Sequence, residues 1–432
     1  MTSVGSWALA SMGVAGLVGC FGSSSSASPP GGQDASSTPV AADSGGDAMT
    51  AEAGATGASD SSTIVDAGGD GATSTTGGDS GCAGDGGPGT FTCTGSLATP
   101  RIAPGAAVLS TGSVLVAGGW NATSQTVTSA EVYDPTTGSF AATGGMTDAH
   151  LWAGWTAPWP VLSSGKVLVG GGLAASGALL ASVELYDPSA GTFSLTGPLG
   201  TPVLAFDLVS LGGSVLFIGG YSAVTGAPPT PGWEYTAGTS LVQSYSVTAA
   251  TVSPVGPVAE ARLFGCNVVL QSGDAVAIGG TVGTAATFES NIEQYDPTTM
   301  QWTTVGTLAN DVTCSEGAFL LPNGQILLDG AALLDPTTWA TTPLSNPLPN
   351  TSVMLVQLAN GDVLGVGGQA NGMATVQTER FNASTGQWAA VGSLHQPRST
   401  GRALLLPSGD VLVVGGSDAT GAALATAELF HP

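Results

Sequence analysis

The sequence predicts an all-β protein, a seven-bladed β-propeller of four-stranded blades, from two motifs that recur in phase and one strand left over near the start. The first motif is a short apolar strand that opens and closes with glycine, as in GSVLVAGG (Gly112 to Gly119). Its seven copies open 53, 48, 60, 51, 37 and 48 residues apart. A diglycine strand with a period near 50 is typical of a propeller blade. The copies begin at Gly112, Gly165, Gly213, Gly273, Gly324, Gly361 and Gly409.

A second motif follows most of the glycine-terminated strands. It is a strand containing Tyr or Phe, an Asp-Pro turn, and a strand that begins with Phe or Trp, as in EVYDPTTGSF (Glu131 to Phe140). The third copy is eroded to QSYSVTAATV, and the last stops at ELFHP, which ends at Pro432. From Thr90 to the C-terminus the two motifs together resemble the Kelch-repeat family. The four remaining copies are ELYDPSAGTF, EQYDPTTMQW, LLDPTTW and ERFNASTGQW.

Each part of the repeat has a physical reason. Runs of Val and Leu favour strands that are covered on both faces, as in stacked blades. Glycine accepts a positive φ and a close backbone approach, and Asp-Pro-Thr-Thr-Gly favours a tight turn. We therefore interpret the recurring aromatic residues as packing between blades. They are Tyr133, Tyr186, Tyr295, Phe140, Phe193, Trp302, Trp339 and Trp388.

The two ends of the repeat region complete each other. FTCTGSL (Phe91 to Leu97) aligns with the fourth strands of other units, such as FAATGGM (Phe140 to Met146), whereas the last unit ends after its third strand. We expect the Phe91 segment to complete the final blade and to close the ring without an exposed edge. A count of six blades would require the GQILLDG unit to be dismissed, and its continuation from Leu333 to Trp339 argues against that.

The region before the propeller predicts export and a tether. Residues 1–20 form a short apolar leader that ends in Leu17-Val18-Gly19-Cys20, which resembles a bacterial lipobox with Cys20 as the lipidated residue. No Lys or Arg precedes the apolar run, and an ordinary secretory signal is the alternative. Residues 21–89 are rich in Gly, Ser, Ala and Thr, with nine acidic and no basic side chains, so a disordered linker is expected there. Residues 90–432 form the propeller.

The cysteines agree with an oxidising compartment. Without Cys20, four remain, and the pairs Cys82–Cys93 and Cys266–Cys314 are both plausible. The second pair is favoured because equivalent segments of neighbouring blades lie side by side. The spacing does not suit a metal site, so no metal is expected.

Charge restricts the partners. The chain carries a formal net charge of −24. The linker holds nine of the 30 acidic residues, and all six basic residues lie in the propeller, so the propeller has a net charge of 6 − 21, or −15. Such a surface repels nucleic acid and anionic lipid. We expect no nucleic-acid partner, contact with a membrane only through a lipid anchor, and a monomer.

The resemblance also bears on catalysis. The galactose oxidase-like enzymes of the Kelch group imply a seven-bladed ring whose copper is held by two Tyr and two His, with one Tyr crosslinked to Cys. This chain has three His, namely His150, His395 and His431, and four of its six Tyr occupy repeat positions. The copper set therefore does not transfer residue by residue. No catalytic residue and no cofactor are predicted.

Two segments depart from the repeat and are candidates for binding. HLWAGWTAPWP places His150, Trp152, Trp155 and Trp159 near the innermost strand of the second blade, where Trp faces can stack on sugars. These Trp side chains can equally fill the channel or pack between blades. The loop from Tyr221 to Gln243, which contains Trp233 and Tyr235, is about twice as long as its counterparts and is either a binding loop or a simple insertion.

Cationic residues recur after the strand crossings. Arg101, Arg262 and Arg398 each lie four residues after the crossing residue of their repeats, as His150 does in the second. A ring of such groups, Arg262 and Arg398 above all, can bind an acidic ligand. The alternative is that they bond backbone carbonyls of the neighbouring blade.

Together these features predict a lipid-anchored or secreted propeller of the bacterial cell envelope that binds a protein or a glycan or acts as a scaffold. A carbohydrate-active enzyme with its site in the axial mouth is the alternative. A third possibility is a protein that only stabilises the envelope assembly.

Overall fold

A computed structural model describes residues 86–153, 158–225, 234–282, 287–309, 314 and 316–432. The leader, the lipobox cysteine Cys20, most of the linker, Cys82, Trp155 and Trp233 lie outside these residues. Within the described part no helix is long and apolar enough to cross a membrane.

The chain forms seven antiparallel blades in sequence order, as predicted. The strands of the blades are β1 (Thr90–Cys93), β2 (Gly105–Val108), β3 (Val114–Ala117), β4 (Ala130–Asp134), β5 (Ser139–Thr143), β6 (Val167–Gly170), β7 (Val183–Asp187), β8 (Thr192–Leu195), β9 (Asp207–Ser210), β10 (Ser214–Ile218), β13 (Val242–Ser246), β14 (Thr251–Val255), β15 (Cys266–Val269), β16 (Ala275–Ile278), β19 (Asn291–Asp296), β20 (Gln301–Thr307), β21 (Ala318–Leu320), β22 (Ile326–Leu328), β23 (Ala332–Leu334), β24 (Thr341–Pro343), β25 (Met354–Gln357), β26 (Val363–Val366), β29 (Thr378–Asn382), β30 (Gln387–Ala390), β31 (Arg402–Leu405), β32 (Val411–Val414) and β33 (Ala427–His431).

Blade 1 is β2-β3-β4-β5, and blades 3 to 6 repeat its order from the axis outward. In blade 2 the sheet β6-β7-β8 has three strands, and a bridge between Val161 and Val167 supplies the innermost position. Three hairpins extend the links between second and third strands. They are β11 (Tyr221–Thr225) with β12 (Glu234–Gly238), β17 (Thr281–Val282) with β18 (Thr287–Phe288), and β27 (Gln369–Ala370) with β28 (Met373–Ala374).

The ring closes as the sequence predicts. Blade 7 has the order β1-β33-β32-β31, so the first described strand pairs with the last strand of the chain. Phe91 lies opposite Phe430 in this ladder, and both side chains are buried. The pairing of β1 with β33 therefore covers the edge that β33 would otherwise expose.

The glycines act where the backbones crowd together. Gly119 has a φ of +84°, and a Cβ at this position would lie 2.5 Å from the carbonyl oxygen of Ile102. No side chain fits there, which explains why the repeat ends its second strand with glycine.

The aromatic repeat residues pack within and between blades. Tyr133 and Phe140 are cross-strand partners with ring centroids 4.9 Å apart, and they share an apolar cluster with Leu404 of blade 7. The Tyr133 hydroxyl is 2.7 Å from the Thr94 hydroxyl of that same blade. The Tyr hydroxyls of the next two blades contact a threonine of the preceding blade in the same way. These pairs are Tyr186 with Thr143 and Tyr245 with Thr196.

Candidate functional site

The segments that cross from one blade to the next meet at one end of the propeller axis. First strands of neighbouring blades contact each other, as β9 does with β15, β15 with β21, and β31 with β2. The residues two positions before these strands therefore surround the axial mouth. We call these residues, together with their equivalent in blade 2, the mouth ring. In blade order they are Ala103, Trp152, Ala205, Phe264, Glu316, Ser352 and Thr400.

The mouth ring has an unusual backbone. Six of its seven residues have a φ between +48° and +58° although none is glycine, and Glu316 is the exception. Backbone hydrogen bonds between blades hold this conformation: the Ala103 amide donates to the Thr400 carbonyl at 2.9 Å, and the Phe264 amide donates to the Ala205 carbonyl at 3.4 Å. Left-handed backbone at non-glycine residues costs free energy and tends to cluster at functional sites.

The mouth ring has two chemically different halves. In blades 1 to 4 its residues are apolar, and they belong to one buried cluster that also includes Leu151 and Tyr221. The Trp152 ring meets the Trp120 ring edge to face at 4.9 Å, and the Tyr221 and Phe264 rings lie 6.4 Å apart. In blades 5 to 7 the ring residues are polar and half-buried, being Glu316, Ser352 and Thr400.

Glu316 is the ionisable member of the mouth ring. Its carboxylate oxygens accept hydrogen bonds from the amides of Ser352 at 2.5 Å and Val353 at 3.2 Å. Burial of the carboxyl and the nearby negative charge of Asp329 raise the pKa of Glu316 to about 8, against these two bonds. The raised pKa favours the protonated form of the carboxyl, in which one oxygen can donate a hydrogen bond.

A disulfide lies beside this carboxyl. Cys266 and Cys314 are joined as predicted, with their Cα atoms 5.5 Å apart, and they link blade 4 to the crossing into blade 5. An Asp329 oxygen lies 3.4 Å from the Cys266 sulfur and accepts the amide protons of Glu316 and Gly317. The disulfide and Asp329 thus fix the backbone that presents Glu316. The other predicted pair involves Cys82, which lies outside the described residues.

The predicted arginines form buried ion pairs. Arg262 and Arg398 are almost fully buried and pair with Glu293 and Glu428 of the third strand in their blades. The first diglycine carbonyl in each blade accepts a second bond, from Arg262 to Gly279 at 3.2 Å and from Arg398 to Gly415 at 3.0 Å. Arg101 makes the equivalent pair with Glu131. The three arginines have almost no exposed surface with which to contact a ligand. Ligand binding by Arg262 and Arg398 stays a prediction.

The tryptophan segment is divided between two places. Trp152 belongs to the mouth ring, whereas Trp159 is buried against blade 1, where its ring occupies the space that a side chain at Gly105 would need. The Trp159 indole N–H donates to the Ala153 carbonyl at 2.9 Å. Trp155 lies outside the described residues.

The described parts of the long loop form two paired strands. Its strands β11 and β12 pair with Tyr235 opposite Val224. Trp233 precedes the second strand and lies outside the described residues. The hairpin rises from the same face as the mouth ring, because Tyr221 at its base bridges to Leu204 of the crossing segment.

His150 occupies the arginine position in blade 2. The imidazole is buried, with Nδ1 2.8 Å from the Gly171 carbonyl and Nε2 3.1 Å from Oε1 of Glu184. Burial alone would raise the pKa of Glu184, but hydrogen bonds from His150 and from the amides of Thr147 and Asp148 hold it below the ordinary value. His150 therefore lies behind the mouth ring.

A copper centre of two Tyr and two His does not fit the mouth. The mouth ring contains neither residue type, and the described histidines pair elsewhere, His395 with Glu428 and His431 with Asp410. Four tyrosines serve the blade repeat, and burial raises the pKa of Tyr221 to about 12 within the apolar cluster. No reaction step is assigned to copper.

The fold and the crossing segments define the class of protein, a seven-bladed propeller with Kelch motifs. Two segments match the Kelch motif, residues 101–147 and 262–309. A solved structure described as a novel fungal alcohol oxidase with catalytic diversity among the AA5 family, in complex with copper, is similar in fold, with a TM-score of 0.57 and 14% identity over 80% of this chain and 76% of that one. No curated protein matches in sequence.

Sequence reasoning missed most of the mouth ring. The residue types at Ala103, Ala205 and Ser352 do not predict a left-handed backbone or a position near the propeller axis. The ion pairs did leave a signal. A crossing Arg or His occurs in four repeats, and each of these also has a glutamate two residues before the Tyr or Phe of its third strand. The pairs are Arg101 with Glu131, His150 with Glu184, Arg262 with Glu293, and Arg398 with Glu428.

Proposed function

We propose that this propeller is an exported, lipid-anchored binding module of the bacterial cell envelope whose mouth ring binds a glycan. The observation that carries the proposal is the division of the mouth ring into an apolar half and a polar half. A sugar ring presents apolar C–H faces together with hydroxyl groups, which match the two halves in chemistry. In the apolar half the contact would fall on Trp152 and Ala103, each 9% exposed, because Ala205 is fully buried. The negative charge of the propeller disfavours an anionic ligand.

The polar half supplies the hydrogen bonds. Ser352 and Thr400 each carry a hydroxyl; that of Thr400 already donates to the Ser399 carbonyl at 2.7 Å, so it can accept a hydrogen bond from a ligand. A protonated Glu316 adds a donor that ordinary carboxylates lack. A site built to bond hydroxyl groups loses affinity when such a partner is removed, because the opposing polar groups stay buried and unpaired.

A glycan array probed with the full chain tests this proposal. The variant Ser352→Ala/Thr400→Ala is the sharpest, because blades 1 and 3 already carry alanine at the same ring position with the same backbone. We expect glycan binding by the natural chain and at least tenfold weaker binding by this variant. Ser384→Ala/Thr385→Ala, on an exposed outer turn, is the matched control and should bind normally. A natural chain that binds no glycan would contradict the proposal.

Glu316 and Asp329 favour a second candidate, a carbohydrate-active enzyme. Two neighbouring acidic groups, one with a raised pKa, are the arrangement that glycosidases use as acid and base. Release of reducing sugars from the bound glycan, lost in Glu316→Gln, would establish this activity. Binding without any release supports the module.

The envelope location rests on the lipobox-like ending at Cys20. Inhibition of lipoprotein signal peptidase should cause precursor to accumulate, and Cys20→Ala should release the chain from the membrane fraction. Unchanged processing and unchanged membrane association would argue against the anchor.

A further inference from the structure

The buried ion pair is built differently in blade 2. In blade 1, Nη2 of Arg101 lies 2.9 Å from the Ser129 hydroxyl and 3.1 Å from Oε1 of Glu131. In blade 7, Nη2 of Arg398 contacts Thr426 and Glu428 in the same way, at 3.2 and 2.8 Å. One cationic nitrogen thus lies between a hydroxyl and a carboxylate in both blades.

Blade 2 keeps the hydroxyl and the carboxylate but has no guanidinium. His150 reaches the carboxylate of Glu184. The Ser182 hydroxyl, the counterpart of Ser129, donates to Oδ2 of Asp148 at 2.6 Å, as the Thr426 hydroxyl of blade 7 donates to Gln396. Blade 1 has Thr99 and blade 7 has Gln396 at the position of Asp148. Blade 2 therefore has an imidazole in place of the guanidinium and a second carboxylate, that of Asp148, in place of a neutral side chain.

The imidazole orientation requires a positive charge in this place. With its N–H donated to the Gly171 carbonyl from Nδ1, His150 turns the lone pair of Nε2 toward Oε1 of Glu184 at 3.1 Å. Two acceptor atoms so close together repel each other unless a proton or a metal ion lies between them. A carbonyl bond to one ring nitrogen is also how proteins orient a histidine that binds metal through the other.

We propose that His150, Glu184 and Asp148 form a binding site for a divalent transition-metal ion such as Zn²⁺, which replaces the guanidinium of the other blades. One ligand atom from each residue lies within 4.8 Å of the other two. Zn–N and Zn–O bonds of about 2.0–2.2 Å place tetrahedral ligand atoms about 3.3 Å apart, so the His150–Glu184 separation already fits and a small rotation of Asp148 completes the set. The Ser182 hydroxyl or a water can supply the fourth ligand.

The chemistry of the ligands selects the metal. One imidazole and two carboxylates suit Zn²⁺ and similar borderline ions better than Ca²⁺, which prefers six or more oxygens. His150 and Glu184 are buried and Asp148 is half-buried, which leaves a route for the ion on the Asp148 side. His150 itself has a φ of +43°, an unusual backbone conformation for a residue other than glycine.

The consequence for the protein is a metal that fixes the crossing segment of blade 2. Trp152 of the mouth ring follows His150 by two residues, so an ion at this site holds the backbone that presents Trp152. The site is separate from the mouth and does not depend on the glycan proposal.

Zinc titration of the full chain, in competition with a chromogenic chelator, tests the site. We expect one Zn²⁺ per chain for the natural protein and at least tenfold weaker binding by Asp148→Asn, which can keep the Ser182 hydrogen bond. His150→Arg, which installs the ion pair of blades 1, 4 and 7, should keep the fold and lose the metal. His431→Gln, at a half-buried histidine that pairs with Asp410, is the matched control and should bind Zn²⁺ normally.

X-ray absorption of the zinc-loaded chain supplies a second readout should His150→Arg fail to fold. It should show one imidazole nitrogen and oxygen ligands at about 2.0–2.2 Å. Equal zinc affinity of the natural chain and Asp148→Asn, a zinc shell without imidazole, or no zinc binding by the natural chain would each overturn the proposal.

Discussion

Phe91 and Phe430 lie opposite each other in the blade that joins the two ends of the chain, with their ring centroids 5.0 Å apart. Their backbone ladder and buried side chains close the propeller. Contacts this distant in sequence form late and cooperatively, so the stability of the whole ring depends on them.

Phe91→Ala should therefore destabilise the protein by about 3–5 kcal/mol, the usual cost of removing a buried phenylalanine. Chemical denaturation measures this change. Phe288→Ala, at a side chain that is 43% exposed, is the control and should change stability little. Deletion of residues 90–97 should lower the melting temperature further, and an unchanged melt would contradict the closure.

The Arg398–Glu428 pair should be essential to stability. Arg398→Leu leaves the buried Glu428 carboxylate without its guanidinium partner and with His395 as its remaining ion-pair partner, which costs about 3–5 kcal/mol. Lys166→Ala removes an exposed pair with Asp187 and should cost about 0–1 kcal/mol. Urea unfolding measures both variants. Equal losses of unfolding free energy would contradict the expectation that a buried ion pair contributes more to stability than an exposed one. Because Arg398 has no exposed surface, we expect its substitution to lower stability and not to act on ligand affinity directly.

The Cys266–Cys314 disulfide should stabilise the native state. The two residues are 48 positions apart, and closing such a loop in the unfolded chain corresponds to about 4 kcal/mol. Cys266→Ala/Cys314→Ala should lose roughly this amount on denaturation. Thiol titration of the native protein should find neither thiol free, and reactive thiols at both positions would contradict the pairing.

Stability should fall as the pH rises from about 5 to 9. Burial is the main cause that raises the pKa of Glu316 and of Asp207 to about 8, so the folded state holds protons that the unfolded state has already released. The stability that these two protonated carboxyls contribute is fully present below the ordinary carboxyl pKa and is lost as the pH rises past 8.

Glu316→Gln and Asp207→Asn should each reduce this pH dependence, by on the order of a few kcal/mol between pH 5 and 9. Urea unfolding of the natural chain and both variants across this range measures it. Stability that rises with pH in the natural chain would refute the assignment.

The sequence was sufficient for the architecture because the repeat is encoded locally. Glycine pairs, Asp-Pro turns and paired aromatics specify a blade wherever they occur, and the extra strand at Phe91 matched the strand missing after Pro432. Cys266 and Cys314 could be paired because equivalent segments of adjacent blades meet. Blade 5, which replaces the diglycine with Asp329-Gly330, was still countable from its Leu-Asp-Pro turn.

The candidate site was harder to predict because its residues come together only when the ring closes. Ala103, Phe264 and Thr400 belong to three repeats and share only a position before a first strand. The tryptophan segment drew attention to Trp152, which lies in the mouth ring, whereas Trp159 points into a blade interface that composition does not reveal. The pairing of His150 with Glu184 became visible only with the arginines of other blades as a reference.

Calorimetric titration with a glycan found on the array tests most directly that the mouth ring binds the ligand. At pH 6, where Glu316 is protonated, we predict saturable one-to-one binding by the natural chain and at least tenfold weaker binding by Ser352→Ala/Thr400→Ala. At pH 9 the natural chain should bind more weakly, Glu316→Gln should lose this dependence, and Asp207→Asn should retain it. Equal affinity of the natural chain and the double alanine variant would contradict a binding site at the mouth.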